Sequence, residues 1–240
     1  MHGLMTTTLV PGPIALVGSG EFLPQMEAVD RFLLDGRAPR AAFVPTAAGE
    51  EGQRSVKRWL DLGTAHYRRL GVEPIPVPVV TPADANDPAM VALLSGAGLV
   101  YLSGGNPGYL ANTLRGSLVW DAIVAHWRQG GAVAGCSAGA GALSTQAPDV
   151  RSAIRSTAGL GLVPNIAVIP HFDAMARWDP SFAARMREVC AESVQIVGID
   201  EDTALVGGLQ EWSVMGRQSV HILSDPVQVF RANERLTFGP

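Results

Sequence analysis

The chain has 240 residues, of which 47% are hydrophobic and 17% charged, enough apolar material for the core of one large α/β domain. Its formal net charge of -4, with no run of lysine or arginine, gives nucleic acid no electrostatic footprint. No segment reaches the roughly 18 uninterrupted apolar residues of a membrane span, the start lacks a basic leader pattern, and two cysteines make no disulfide framework. A cytoplasmic protein with one domain over residues 1–240, loose over residues 1–12, is therefore expected.

Pro13 to Gly18 is a continuous apolar run ending in glycine, as expected of a strand covered on both faces. Ser19-Gly20-Glu21-Phe22 follows; a full G-x-G-x-x-G phosphate loop is missing, so a tight turn is expected. Met26, Val29, Phe32 and Leu33 recur at helical spacing until Gly36. A second strand spans Arg40 to Pro45, followed by a helical segment carrying Val56, Trp59 and Leu60. Pro74 to Val80 is too rich in proline for a central strand and belongs at an edge. Asp87-Pro88 reads as a helix cap with proline in the first turn, and Met90, Val91, Leu93 and Leu94 form the buried side. This alternation of strands and helices predicts a mostly parallel sheet.

Gly98 to Leu102 is the next strand, and Ser103-Gly104-Gly105-Asn106-Pro107-Gly108 is the loop at its C-terminal end. In doubly wound sheets that edge carries the site, so the Gly105 N–H is a candidate oxyanion donor. Ser117 caps a helix holding Leu118, Val119, Ile123, Val124 and Trp127, ended by Gly130-Gly131.

An apolar strand then meets Gly135, Ser137 and Gly139, a G-x-S-x-G pattern among alanines. This pattern fits a strained strand-to-helix turn that exposes a serine hydroxyl at a helix N-terminus, with the Ala138 N–H as a second oxyanion donor. Cys136 is a rival nucleophile. The glycines flank position 137 symmetrically, so Cys136 reads as a small buried residue at the end of the strand.

His171 closes the apolar strand Asn165 to Pro170, where a general base for Ser137 would be expected. His66 and His126 fall within helical segments instead. Val194 to Ile199 is the following strand and ends in Asp200-Glu201-Asp202, among which spacing does not choose an orienting carboxylate. From Thr203 to Phe230 short strands such as Trp212 to Met215 and Val220 to Leu223 read as an antiparallel β addition.

The ordered elements Gly104-Gly105-Asn106, Gly135 to Gly139, His171-Phe172 and Gly198-Ile199-Asp200-Glu201 resemble the serine peptidases of family S51, which include cyanophycinase and the aspartyl dipeptidase peptidase E. The resemblance runs from about Ile14 to about Leu223. It implies a doubly wound, mostly parallel α/β sheet with helices on both faces, like class I glutamine amidotransferases and flavodoxin-like folds. It also implies a homodimer, with Ser137 as nucleophile, His171 as base, Glu201 as orienting carboxylate, and Gly105 and Ala138 as the oxyanion hole. Pro107 and Pro170 stand where cyanophycinase-like sequences tend to carry glutamine, and the arginine-rich stretch after His-Phe is reduced to Arg177. These departures argue against cyanophycin as substrate.

The function expected is a serine exopeptidase on short peptides, without metal or organic cofactor. Asn106, Arg177, Arg151 and Arg155 are the candidate substrate-binding residues, the arginines as anchors for a terminal carboxylate. The alternatives are a Cys136-dependent amidase or amidotransferase, and a non-catalytic binding or stress protein.

Overall fold

The structure, a computed structural model, describes residues 10–148, 156–208 and 210–238. β1 (Ile14–Val17) leads to α1 (Glu27–Leu34), β2 (Arg40–Val44) to α2 (Gln53–Arg69), and β3 (Glu73–Pro76) to the short helices α3 (Pro82–Ala85) and α4 (Pro88–Leu93). β4 (Leu99–Leu102) precedes α5 (Pro107–Leu114) and α6 (Leu118–Arg128), and β5 (Ala132–Cys136) turns straight into α7 (Ala138–Leu143). β6 (Ser144–Pro148), β7 (Ser156–Ala158) and β8 (Val163–Pro170) come next, then α8 (Phe172–Trp178), α9 (Phe182–Val189) and β9 (Gln195–Ile199). Five short strands follow: β10 (Thr203–Gly207), β11 (Glu211–Gly216), β12 (Ser219–Ile222), β13 (Gln228–Arg231) and β14 (Arg235–Thr237).

The strands form two sheets. The larger has the order β14-β11-β10-β1-β5-β4-β2-β3, in which β1, β5, β4, β2 and β3 are parallel. The smaller has the order β13-β12-β9-β8-β6-β7, with β6, β8 and β9 parallel. The fold class is the expected doubly wound α/β arrangement, but the chain leaves its first sheet after β5 and builds the second with β6, β8 and β9. The late antiparallel strands are divided between the two: β10 lies directly against β1 inside the larger sheet, while β12 pairs with β9 in the smaller one.

Alternation along the central strands assigns their faces. Ala15, Val17, Phe43, Tyr101 and Ala134 face one apolar layer with Val29 and Leu33 of α1 and Tyr67 of α2. Gly63 lets α2 approach closely, since a Cβ there would lie 2.7 Å from the Phe43 ring. Ile14, Leu16, Val100, Leu102 and Val133 face the other layer, which holds Ile123 and Trp127 of α6 and reaches Val168, Val197 and Val220 of the smaller sheet. The far side of that sheet is covered by Phe172, Phe182 and Met186 from α8 and α9. Each large aliphatic side chain buried this way contributes about 1.5–3 kcal/mol.

Pro74 and Pro76 lie in β3 at the edge of the larger sheet, where a missing N–H breaks no ladder. The expected caps form: Ser117 Oγ accepts from the Trp120 N–H and Asp87 Oδ1 from the Ala89 N–H, each worth about 1 kcal/mol. Two expectations are corrected. The loop reading of Ser103 to Gly108 ends too late, because Asn106 caps α5 with Pro107 at its first position. Of the segment 1–12 expected to be loose, residues 1–9 lie outside the described residues and Gly12 is tied down. Its N–H donates to the Trp127 carbonyl and its own carbonyl accepts from the Trp127 indole, both at 2.8 Å.

Candidate active site

The C-terminal ends of β1, β4 and β5 lie side by side, as the parallel register of these strands requires. From β5 the chain reverses at Ser137, which holds φ 51° and ψ -111° before α7 begins. Small residues are obligatory around that corner. A Cβ on Gly135 would sit 2.4 Å from the Gly139 carbonyl carbon, and one on Gly139 would sit 2.2 Å from the Leu102 carbonyl oxygen. The Ser137 N–H donates to Val17 at 2.8 Å and its carbonyl accepts from Gly141 at 3.1 Å, so both neighbours fix the corner.

The second sheet delivers the partners. β8 and β9 are parallel with Pro170 opposite Ile199, which brings the residues just past their ends together. His171 has φ 141° and starts α8. Its Nε2 accepts from Ser137 Oγ at 2.7 Å, and its Nδ1 lies 3.3 Å from Glu201 Oε1. A carboxylate at Nδ1 selects the tautomer with the proton there, leaving Nε2 free to accept from the hydroxyl.

Of the three clustered acids, only Glu201 reaches the imidazole. Asp200 is buried, accepting from His221 Nε2 at 3.0 Å and the Ser219 N–H at 3.1 Å. Asp202 accepts from Gln25 at 3.1 Å on the other side of the turn. Asp173 and Gln218 hold Glu201 in place, and the sequence reading missed both. The Glu201 N–H donates to Asp173 Oδ1 and its carbonyl accepts from Gln218 Nε2, each at 3.0 Å. An acid in the first turn of a helix, two residues beyond His171, was the available signal for Asp173.

The glycine-rich loop after β4 is sewn to residues 46–48: the Asn106 N–H donates to the Ala47 carbonyl at 2.7 Å. Gly105 has φ 144°, and a Cβ there would meet the Ala47 carbonyl oxygen at 2.2 Å. Gly105, Asn106, Ser137, Ala138 and His171 all line one cavity. The Asn106 side chain is already committed, its Oδ1 capping α5 and its Nδ2 donating to Glu50 at 2.6 Å. Arg177 does not line the cavity; its guanidinium is exposed and donates to Asp173 Oδ2 at 2.8 Å. Arg151 and Arg155 lie outside the described residues.

Glu21, just past β1, is a further component that the tight-turn reading missed. Its Oε1 accepts from the Gly104 N–H at 3.0 Å and its Oε2 from the Cys136 thiol at 2.8 Å. Burial, and then the Glu21 charge, push the Cys136 thiol well above its ordinary range, so the ionised nucleophile that cysteine chemistry needs is suppressed. Both cysteines are free and buried. Among the described residues no cluster of three or more His, Cys, Asp or Glu is placed to hold a metal ion, and no helix is long and apolar enough to cross a membrane.

The sequence model described as peptidase family S51 matches residues 14–211. The cyanophycinase of Trichormus variabilis is 30% identical over 181 residues, covering 70% of this chain and 59% of its own. That of Synechococcus elongatus is 32% identical over 180 residues, covering 70% of this chain and 54% of its own. The chain thus spans less than three fifths of the length of these relatives. Among solved structures, a peptidase from an acI-B1 actinobacterium superposes with a TM-score of 0.87 at 40% identity, over 96% of this chain and 98% of that one. A putative peptidase E protein from Listeria monocytogenes EGD-e has a TM-score of 0.61 at 16% identity, over 93% of this chain and 100% of that one, a likeness of fold alone.

Proposed function

The chain belongs to peptidase family S51, and from that premise we propose that it is a serine exopeptidase hydrolysing short peptides through an acyl-enzyme. The observation that carries this reading is the 2.7 Å contact between Ser137 Oγ and His171 Nε2, with Glu201 on the opposite ring nitrogen.

In the proposed cycle Ser137 Oγ attacks the scissile carbonyl carbon while His171 Nε2 takes its proton. Charge develops on the carbonyl oxygen, where the Gly105 and Ala138 N–H groups act as donors at the cavity wall. Glu201 keeps the imidazole oriented and offsets the charge it gains. The imidazolium then protonates the departing amine as the C–N bond breaks, leaving an ester on Ser137. Water attacks that ester, giving its proton to His171, and the serine leaves with that proton as the carboxylic acid product departs. No step calls on a metal or organic cofactor. Two buried free thiols fit a reducing compartment, and we assign the protein to the cytoplasm on that ground.

The test is turnover of dipeptides and tripeptides, blocked or free at each end, by wild type and Ser137→Ala. Ser137→Ala should lose about 10⁶-fold in kcat and all labelling by a fluorophosphonate probe. An active Ser137→Ala protein that iodoacetamide inactivates would instead assign the chemistry to Cys136. Comparing the blocked peptides identifies which terminus is anchored.

A further inference from the structure

The larger sheet sets β5 between β1 and β4, so the strand that leads to Ser137 has the end of β1 on one side and the glycine-rich loop of β4 on the other. Glu21, in the turn after β1, spans that gap. Its Oε1 accepts from the Gly104 N–H past β4, and its Oε2 accepts from the thiol of Cys136, the last residue of β5. One carboxylate thus ties three strand ends together beside the nucleophile. A Cβ built on Gly104 would lie 2.8 Å from Glu21 Oε1 and 3.4 Å from Ser137 Cβ.

The turn anchors the backbone from which Glu21 projects. Phe22, the next residue, has φ 65°, a conformation uncommon for any residue with a side chain. Its ring is buried among those of Phe43, Trp59, His66, Tyr67 and Tyr101, whose centroids lie 5.3–6.3 Å away. In the facing loop, backbone bonds hold only the two sides: the Ser103 N–H donates to the Val44 carbonyl at 3.1 Å and the Asn106 N–H to the Ala47 carbonyl at 2.7 Å. The Gly104 N–H between them has a side chain, Glu21, as its partner, and the next peptide N–H is that of Gly105, which lines the cavity at Ser137. Two consecutive glycines have wide backbone freedom, so without this acceptor the Gly104-Gly105 peptide is free to turn.

We propose, resting on Ser137 as the nucleophile of a peptidase, that Glu21 is a positioning residue for the oxyanion hole. Its carboxylate, accepting from the Gly104 N–H and the Cys136 thiol, holds the Gly105 N–H ready for the carbonyl oxygen that Ser137 attacks. Glu21 touches no reacting atom; it acts through the peptide that does. A carboxylate binds a backbone N–H more strongly than a neutral acceptor does, and a donor aimed before charge develops has no reorganisation to undergo during the reaction.

The test measures kcat and KM separately for the short peptide that wild type turns over fastest, beside thermal melts, in Glu21→Ala, Glu21→Gln, Gly104→Ala and the double variant Glu21→Ala/Gly104→Ala. Glu21→Ala should lower kcat by about 10²-fold with KM little changed. Glu21→Gln, which keeps an acceptor at the same reach, should retain most of the activity. Gly104→Ala displaces the carboxylate from its other side and should reproduce the loss in kcat. Because both singles break one contact, the double variant should lose about 10²-fold rather than the about 10⁴-fold of independent effects.

Wild-type kcat in folded Glu21→Ala, equal losses in the Gln and Ala variants, a loss confined to KM, or additive losses in the double variant each overturn the role of Glu21 while leaving the nucleophile intact. If Glu21→Ala does not fold, Gly104→Ala decides, and wild-type kcat there overturns the role. Wild-type protein that takes no fluorophosphonate label overturns Ser137 as nucleophile, and the role of Glu21 falls with it.

Discussion

Ser137 and His171 both hold positive φ angles, 51° and 141°, conformations that cost a non-glycine residue about 1–3 kcal/mol each. The hydrogen bonds on either side of Ser137 and the helix starting at His171 keep both in place, and the hydroxyl and imidazole meet as a result. Glu201 is the residue whose role spacing left open, because the choice among three consecutive acids depends on a turn held by Asp173 and Gln218. Glu201→Gln should lower kcat by about 10² to 10⁴, while Asp202→Asn changes it far less. Asp200→Asn should lower the melting temperature, through loss of the buried pair with His221, more than it lowers turnover per folded molecule. Steady-state kinetics beside thermal melts checks the ranking, and a larger kinetic loss at Asp200 or Asp202 would move the orienting role. Gly135, Ser137, Gly139 and His171 could be read in the sequence because each depends on its immediate neighbours. Glu21 could not, since its partners lie 83 and 115 residues away.

The loop between β4 and α5 is shaped by local rules. Asn106-Pro107 is a cap followed by a first-turn proline, the same signal that placed α4 after Asp87-Pro88, and it starts a helix inside what reads as a glycine-rich loop. That cap brings the Gly105 peptide to the cavity wall, against Ala47. Gly105→Ala forces the peptide to move, because its Cβ would lie 2.2 Å from the Ala47 carbonyl oxygen. The expected outcome is a fall in kcat of about 10²-fold or more, with KM changed much less. Stopped assays over a substrate series would show it, and a loss confined to KM would take Gly105 out of the oxyanion hole. Helix α8 left no comparable signal at its start, where no side chain caps it, whereas α9 follows Asp179-Pro180, with Asp179 Oδ1 accepting from the Ser181 N–H at 2.9 Å.

On the scale of the whole molecule, apolar runs identify strands but not the sheet they join, so the division into two sheets was not legible. The same fold shifts titratable groups in ways that make stability depend on pH. Burial, with Arg37 adding to it, holds the His126 imidazole below its ordinary value while its Nε2 lies 3.1 Å from the Ala132 carbonyl. The unfolded chain therefore binds a proton near pH 6.5 that the folded chain refuses. Stability is intact above that pH and falls as the pH drops towards the folded value. Asp30, whose carboxyl burial raises, acts in the opposite sense, losing stability as pH rises above its unfolded value. Melting temperatures from pH 8 to 5 should decline on the acid side in wild type and decline less in His126→Gln. Parallel curves would rule His126 out.

The six-residue helix of alanine, glycine and a single leucine between β5 and β6 has a wider consequence, since it is the bridge on which one sheet hands the chain to the other. Hydroxyl and imidazole are thus carried at the ends of strands in different sheets. Two fragments divided between α7 and β8 would each be chemically silent, and recovered turnover on mixing them would report their reassembly directly.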